Sequence, residues 1–258
     1  MTDADTTLDL CLAVIACDNE RTIERTLRSV DGLARRRILV DSGSTDGTIE
    51  IARVCDAEVI AHAWEGYVKQ KQFALEQCDT TWVLCLDSDE SLDEQAIRAV
   101  RDAVNRNDSS IAGYKLNRQV WIGDRPLRHT WQPEWRTRLV RRENARWAGV
   151  DPHDRLDVEG AVTRLGGNIR HDAFTDFEQL LHKSVGHGLT SARSFHEMGR
   201  KGSRVQLVLS PPAAVLKQLV LRSAWLDGWP GWLASYSAGI SAAVKHVRLL
   251  ELTHKDGE

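Results

Sequence analysis

The sequence has no CxxC pair, and its five cysteines (Cys11, Cys17, Cys55, Cys78 and Cys85) make an odd number. Neither a disulfide framework nor a cysteine-ligated zinc centre is expected from that pattern. Cys11, Cys17 and Cys85 lie in or beside apolar runs and read as small core hydrophobes in a reducing compartment. Net charge is also scarce: −3 in 258 residues, which gives no bulk positive field to hold a nucleic acid. Met1 to Thr7 is acidic and lacks the basic start of a secretory signal, and no stretch has the apolar length of a membrane span. The expectation is a protein made and kept in the cytoplasm. Glycine and proline are ordinary at 18 and 6, so linker-dominated and collagen-like chains are excluded. Tyrosine and phenylalanine are few, three and four, beside nine tryptophans that need an explanation.

What is present is an alternation of strand and helix signals over the first 107 residues. Leu10–Ala16, Arg37–Val40, Ala57–Ile60 and Trp82–Leu86 are short runs, three of them apolar without alternation; helical spacings of apolar residues separate them. Such runs predict a parallel sheet covered on both faces, with ligands bound outside the carboxyl ends of its strands. Those ends carry Asp18-Asn-Glu20, Asp41-Ser-Gly-Ser44 and Asp87-Ser-Asp-Glu90. Three acidic clusters at one edge repel each other, which favours a bound cation or a hydrogen-bonded ligand. Asp87-Ser-Asp89 is the sharpest signal, since Asp-x-Asp after a strand suits a divalent cation that also binds a diphosphate. The competing reading is a capping box, Ser91-Leu-Asp-Glu94, with incidental acids before it. Asp41 is placed to accept hydrogen bonds from a base or ribose, with Ser44 or Thr45 capping the next helix.

Beyond residue 107 the character changes. From Tyr114 to Arg142 there are eight Lys/Arg against two Asp/Glu, with Trp121, Trp131 and Trp135 interleaved. Arg118, Arg125, Arg128, Arg136, Arg138, Arg141 and Arg142 suit phosphates on an anionic acceptor, and Trp suits sugar faces. Alternation along strands lets about half of them face one site. A solvated face over packed Trp is the alternative. Phe174 to Met198 reads as a long helix, with Thr175-x-x-Glu178 as its capping box. Pro211-Pro212 opens a final apolar region broken by Gly228-Trp-Pro-Gly231. Its Trp and basic residues fit helices at an anionic membrane surface, or a pair packed on the domain or on a second subunit.

Ala13-Val-Ile-Ala-Cys-Asp-Asn-Glu20, Asp41-Ser-Gly-Ser-Thr-Asp-Gly-Thr48, Trp64-Glu-Gly-Tyr-Val-Lys-Gln-Lys71 and Trp82-Val-Leu-Cys-Leu-Asp-Ser-Asp-Glu90 together resemble a family-2 inverting glycosyltransferase. Within that family the chain is most similar to the lipopolysaccharide core β-glucosyltransferase type. The likeness continues through Arg138-Leu139, His153-Asp-Arg-Leu156, Ile169-Arg-His171 and Leu226-Asp-Gly-Trp-Pro-Gly231. Cys17-Asp18 and Gln72 depart from the residues common in relatives.

The resemblance implies an α/β, GT-A (Rossmann-like) nucleotide-sugar transferase fold with a C-terminal helical extension. A catalytic domain would cover 1–172, its donor half about 8–107 and its acceptor half about 108–172; the extension would be 173–258. Ala16, Asp18 and Glu20 would line the nucleotide pocket, Asp41 would meet uracil or ribose, and Lys71 would lie near the donor. Asp87 and Ser88 would face the ribose or metal, with Asp89 and His171 on a Mg²⁺ or Mn²⁺ ion. Asp154 would be the base that takes the acceptor proton, with Asp151 as its rival. The implied reaction moves a hexose, glucose from UDP-glucose, to a lipopolysaccharide inner-core acceptor at the cytoplasmic face of the inner membrane. Open alternatives are a polyprenyl phosphate or polypeptide acceptor, and a non-catalytic sugar-nucleotide module; a homo-oligomer through the C-terminal helices is also open. A nucleotidyltransferase is disfavoured, because no Gly-rich basic loop follows the first strand.

Overall fold

The computed structural model describes residues 7–151 and 153–255, and of His153 the backbone alone. The chain divides into two compact units. The first runs to Arg118 and resumes at Glu134–His171; the second comprises Gln119–Pro133 and the chain from Asp172 onward.

In the first unit β1 (Leu8–Ala16), α1 (Ile23–Arg28), β2 (Ala34–Asp41), α2 (Thr48–Val54), β3 (Glu58–Ala61), α3 (Tyr67–Glu76), β4 (Trp82–Asp87), β5 (Glu90–Leu92) and α4 (Glu94–Arg106) follow in order. β1, β2, β3 and β4 pair in parallel, with Ala16 beside Asp41 and Ile15 beside Asp87. This register carries the acidic strand ends to one edge of the sheet, as the apolar runs predict. The runs lack alternation because both faces are covered. Leu10, Leu12 and Val14 pack with Ile23, Leu27 and Val100 on one side, while Cys11, Ala13 and Ile15 pack with Ala74, Leu75 and Cys78 on the other.

The strands that follow are β6 (Ile111–Ile122), β7 (Arg125–Pro126), β8 (Trp135–Arg141), β9 (Ala145–Val150), β10 (His153–Val158) and β11 (Ala161–Phe174). The sheet order is β3-β2-β1-β4-β8-β6-β11-β5, antiparallel where β8 meets β4 and β6 and where β5 meets β11. β9 and β10 form a separate antiparallel ribbon, and their Trp147 and Leu156 enter the core on the α3 side. That packing sets β10 against α3. Three expectations change here. The N-cap of α2 is Gly47, so neither Ser44 nor Thr45 caps that helix. The cap of α4 is Asp93, which accepts the Ala96 amide at 2.7 Å, rather than a Ser91-to-Glu94 box. Cys17 is exposed, because β1 ends at Ala16 and the chain turns outward.

The second unit holds α5 (Phe177–Glu197), α6 (Arg204–Leu216) and α7 (Trp229–Lys255). The cap of α5 is Asp176, which accepts the Gln179 amide, while the Gln179 side chain accepts the Thr175 amide. The reciprocal box thus sits one residue later than Thr175-x-x-Glu178. Pro211 and Pro212 lie inside α6 rather than opening the region; the helix absorbs them and loosens into a π turn at Lys217–Leu221. The buried face of α7 is made of small residues, among them Gly231, Ala234, Ser235 and Gly239. A Cβ at Gly188 of α5 would lie 2.7 Å from the Ser241 carbonyl oxygen, so only glycine permits that approach. Large apolar side chains face outward instead: Trp229, Trp232, Tyr236, Ile240 and Val247 form an exposed stripe on α7.

Asp227 organises part of this unit. Its carboxylate accepts the amides of Arg128, His129 and Thr130 at 2.8 to 3.1 Å and the Thr130 hydroxyl at 2.8 Å. Asp227→Ala leaves those donors without their acceptor, and is expected to destabilise the protein by about 2–3 kcal/mol. A thermal midpoint within one degree of the wild type would show that water replaces the carboxylate there.

Candidate active site

Lys71 sits on the buried face of α3 with Ala74 and Leu75, a core position for an ammonium. Two carboxylates account for it. Lys71 Nζ lies 2.6 Å from Asp87 Oδ1, at the end of β4, and 2.8 Å from Asp154 Oδ2, on β10. It also stands 4.7 Å above the Trp147 ring. Burial pushes the Lys71 ammonium towards deprotonation, and Asp87 and Asp154 more than reverse this, so its pKa is raised.

Asp87 is held from its other side by Arg138 of β8, whose Nη2 lies 2.7 Å from Asp87 Oδ2 and 2.6 Å from Glu90 Oε1. Glu90 is wholly buried, and its second oxygen accepts the Asp87 amide at 3.1 Å. Burial pushes the Asp87 carboxyl up, but the Arg138 and Lys71 charges outweigh it and hold it well below the ordinary carboxylate range. Arg118 adds a second guanidinium, 3.4 Å from Glu90 and paired with Glu134 at 2.7 Å. Burial pushes Glu134 up, and Arg118 and Arg136 return it below its usual value.

Asp89 Oδ2 lies 3.3 Å from His171 Nε2. Burial raises the Asp89 carboxyl, and the hydrogen bond and charge of His171 with the charge of Arg118 together bring it below its usual value. His171 Nδ1 is buried without a hydrogen-bond partner. Among the described residues no three metal-binding side chains converge. A carboxylate and an imidazole nonetheless fit a divalent cation that takes its other ligands from a diphosphate and water. The Ser88 carbonyl is engaged by α1, accepting the Thr26 hydroxyl at 3.0 Å.

The residues expected at the nucleotide brace one loop. Asp41 is buried and accepts the amides of Gly43 and Ser44 at 2.8 and 3.0 Å. Asp18, at φ 53°, accepts the Thr45 amide at 2.7 Å, and Glu20 accepts the Gly47 amide at 2.9 Å. Ala16 accepts the Ser42 amide at 3.0 Å. These bonds shape the edge where a nucleotide would lie.

The two base candidates separate cleanly. Asp154 faces Lys71 and Asp87. Asp151 instead accepts the amides of Tyr67 and Val68 at 3.1 Å each, which caps the N-terminus of α3. Gly66, at φ 98°, makes room: a Cβ there would lie 2.0 Å from Asp151 Oδ2. Of the seven arginines read as an acceptor patch, Arg118, Arg136 and Arg138 line one cavity with Asp154. Arg141 stacks on Trp82 and binds carbonyls at Asn107 and Ile111, Arg142 binds the Glu76 carbonyl, and Arg125 and Arg128 belong to the second unit. Sequence reasoning missed the Glu90–Arg138 pair, Trp147 and the cations Lys115 and Arg155 of the same cavity. Glu90 had a signal, standing directly after Asp87-Ser-Asp89.

A parallel sheet that ends in acidic clusters, extended by antiparallel strands and flanked by helices, has the architecture of a GT-A glycosyltransferase fold. The profile of Glycosyl transferase family 2 matches residues 11–157, and the chain belongs to that family and is a glycosyltransferase. An uncharacterized glycosyltransferase of Rickettsia prowazekii (strain Madrid E) is 27% identical over 253 residues, covering 94% of this chain and 87% of the relative. The lipopolysaccharide core biosynthesis glycosyltransferase LpsC of Rhizobium meliloti (strain 1021) is 27% identical over 257 residues, covering 95% and 93%. Glucosyl-3-phosphoglycerate synthase from Mycobacterium tuberculosis, solved with Mn²⁺, UDP and phosphoglyceric acid, aligns with a TM-score of 0.36 at 25% identity over 43% of each chain.

Proposed function

We propose that the protein is a metal-dependent inverting hexosyltransferase that moves glucose from UDP-glucose to a lipopolysaccharide inner-core saccharide. The observation that carries the mechanism is Asp154 held 2.8 Å from Lys71, which in turn holds Asp87 at the sheet edge. In the reaction the acceptor hydroxyl oxygen bonds to the anomeric carbon as the bond from that carbon to the diphosphate breaks. Asp154 takes the hydroxyl proton, and UDP leaves with the electron pair. Lys71 fixes the orientation of that carboxylate. Asp41 supports the nucleoside, with Asp18, Glu20 and Ala16 shaping its loop and Asp87 and Ser88 facing the ribose side. Asp89 and His171 would hold Mg²⁺ or Mn²⁺, which supplies positive charge to the leaving diphosphate.

The acceptor assignment is supported by the nearly full-length likeness to a lipopolysaccharide core glycosyltransferase. A lipid-linked acceptor also gives the outward stripe of α7 a role. Trp229, Trp232 and Tyr236, with exposed Lys217 and Arg222 nearby in sequence, suit peripheral contact with an anionic bilayer on its cytoplasmic face. No helix among the described residues is long and apolar enough to cross a membrane.

Thermal unfolding tests the donor site. UDP with Mn²⁺ is expected to raise the midpoint by several degrees at ligand concentrations about a hundredfold above Kd, equivalent to about 2.7 kcal/mol. GDP and CDP should do less, and Asp89→Ala should lose the metal-dependent part. If millimolar UDP, GDP and CDP all leave the midpoint unmoved, the donor assignment fails.

A further inference from the structure

We propose that the chamber beside Asp154 is an anion-recognising acceptor site, which takes a saccharide bearing a phosphate or carboxylate close to the reacting hydroxyl. This rests on the transferase reading and adds the chemistry of the acceptor. The cavity measures about 590 Å³, room for a saccharide, and it touches Lys71, Asp87 and Asp154. Ala16, Asp18, Glu20, Asp41, Asp89 and His171 do not line it. It therefore opens beside the donor-side residues Lys71 and Asp87 and extends away from the other residues assigned to nucleotide and metal, with the base at the junction.

Its charge is unbalanced. Six cationic side chains line it against three carboxylates. Lys71 and Arg138 are matched by Asp87 and Asp154, and Arg155 pairs with Asp157 at 2.8 Å. Arg118 and Arg136 share Glu134, at 2.7 and 2.6 Å, and the buried Glu90 behind the wall adds a carboxylate 3.4 Å from Arg118 and 2.6 Å from Arg138. Lys115 remains. It is half-buried on β6, and among the described residues it has no hydrogen-bond or ion-pair partner. A half-buried ammonium gives up hydration, and a ligand anion returns the lost interaction. Trp135 lines the same cavity and offers an apolar plate for a sugar ring beside the anion.

The test uses the full-length protein saturated with UDP and Mg²⁺, titrated with glucose 6-phosphate, glucuronate and glucose and followed by tryptophan fluorescence. Binding of at least one anionic sugar, tenfold or more tighter than glucose, is expected, and the tighter of the two identifies phosphate or carboxylate. Lys115→Glu should weaken that binding at least tenfold, Lys115→Arg should largely retain it, and UDP affinity should be unchanged in both. Equal binding of glucose and the anions overturns the proposal, as does an unaltered anion affinity in Lys115→Glu. Competition between the anionic sugars and UDP also overturns it, because the cations would then serve the donor diphosphate. Failure of UDP itself to bind tells against the transferase reading; UDP binding without anion discrimination removes the acceptor assignment alone.

Discussion

Asp154→Asn is expected to lower turnover by about 10²- to 10⁴-fold, the range for loss of a positioned general base, while leaving the UDP-dependent rise in melting temperature intact. The amide is nearly isosteric and can still accept the 2.8 Å hydrogen bond from Lys71, so the packing of β10 on α3 should survive. What it lacks is a site for the acceptor proton. Asp151→Asn makes the contrast. That carboxylate is spent on the amides of Tyr67 and Val68, and helix caps contribute on the order of 1 kcal/mol to stability. Its turnover should fall by less than about tenfold, the rate equivalent of that energy. The measurement is UDP release from UDP-glucose with a core-oligosaccharide acceptor, beside the thermal shift with UDP alone. Comparable losses in the two variants, or the larger loss in Asp151→Asn, would reassign the base.

The pair also shows what a sequence can and cannot say. Asp151 and Asp154 are three residues apart, and in the sequence Asp154 is the candidate with Asp151 as its rival. The turn between β9 and β10 separates them: Asp151 is left at the head of α3, while Asp154 lies on the strand, on the face it shares with Leu156. The sheet edge was legible, because unbroken apolar runs dictate a doubly covered parallel sheet and so bring Asp41 and Asp87 to the same edge, at the ends of the two strands that flank β1. The contact of Arg138 with Glu90 spans 48 residues and depends on an antiparallel register that no local pattern encodes. In the tail, apolar periodicity marked helices but not which side packs. Small residues let α5 and α7 approach closely, while the large apolar Leu216, Val220, Leu226 and Val247 of the tail are exposed. The seven arginines scattered for the same reason, since composition does not specify direction.

Arg138→Met is expected to destabilise the protein by about 3–5 kcal/mol at neutral pH, the usual consequence of removing one partner from a buried ion pair. The physical reason lies in what remains. Arg138 and Glu90 are both buried, and Arg138 also holds Asp87 at 2.7 Å. Without the guanidinium, the cation left to Glu90 is Arg118, at 3.4 Å, beside the Asp87 amide at 3.1 Å, and the Asp87 and Glu90 carboxylates lose the charge they share. Arg28→Ala is the control. Arg28 pairs with Glu24 at 2.8 Å in solvent, and its loss should leave the unfolding midpoint within error. Urea denaturation of Arg138→Met, Glu90→Gln and the double variant then separates charge from shape. If uncompensated charge dominates, the double variant regains a large part of the loss, and the two single effects are far from additive. If the double variant is as unstable as the sum of the singles, the damage is the lost packing of the side chains that join Arg138 of β8 to Glu90 of β5, and the triad of Arg138, Asp87 and Glu90 contributes shape rather than charge balance. The same distinction bears on function: a site that needs Asp87 ionised and fixed beside Lys71 needs Arg138 as its counter-charge, and Arg138→Lys should then restore UDP binding more fully than Arg138→Met does.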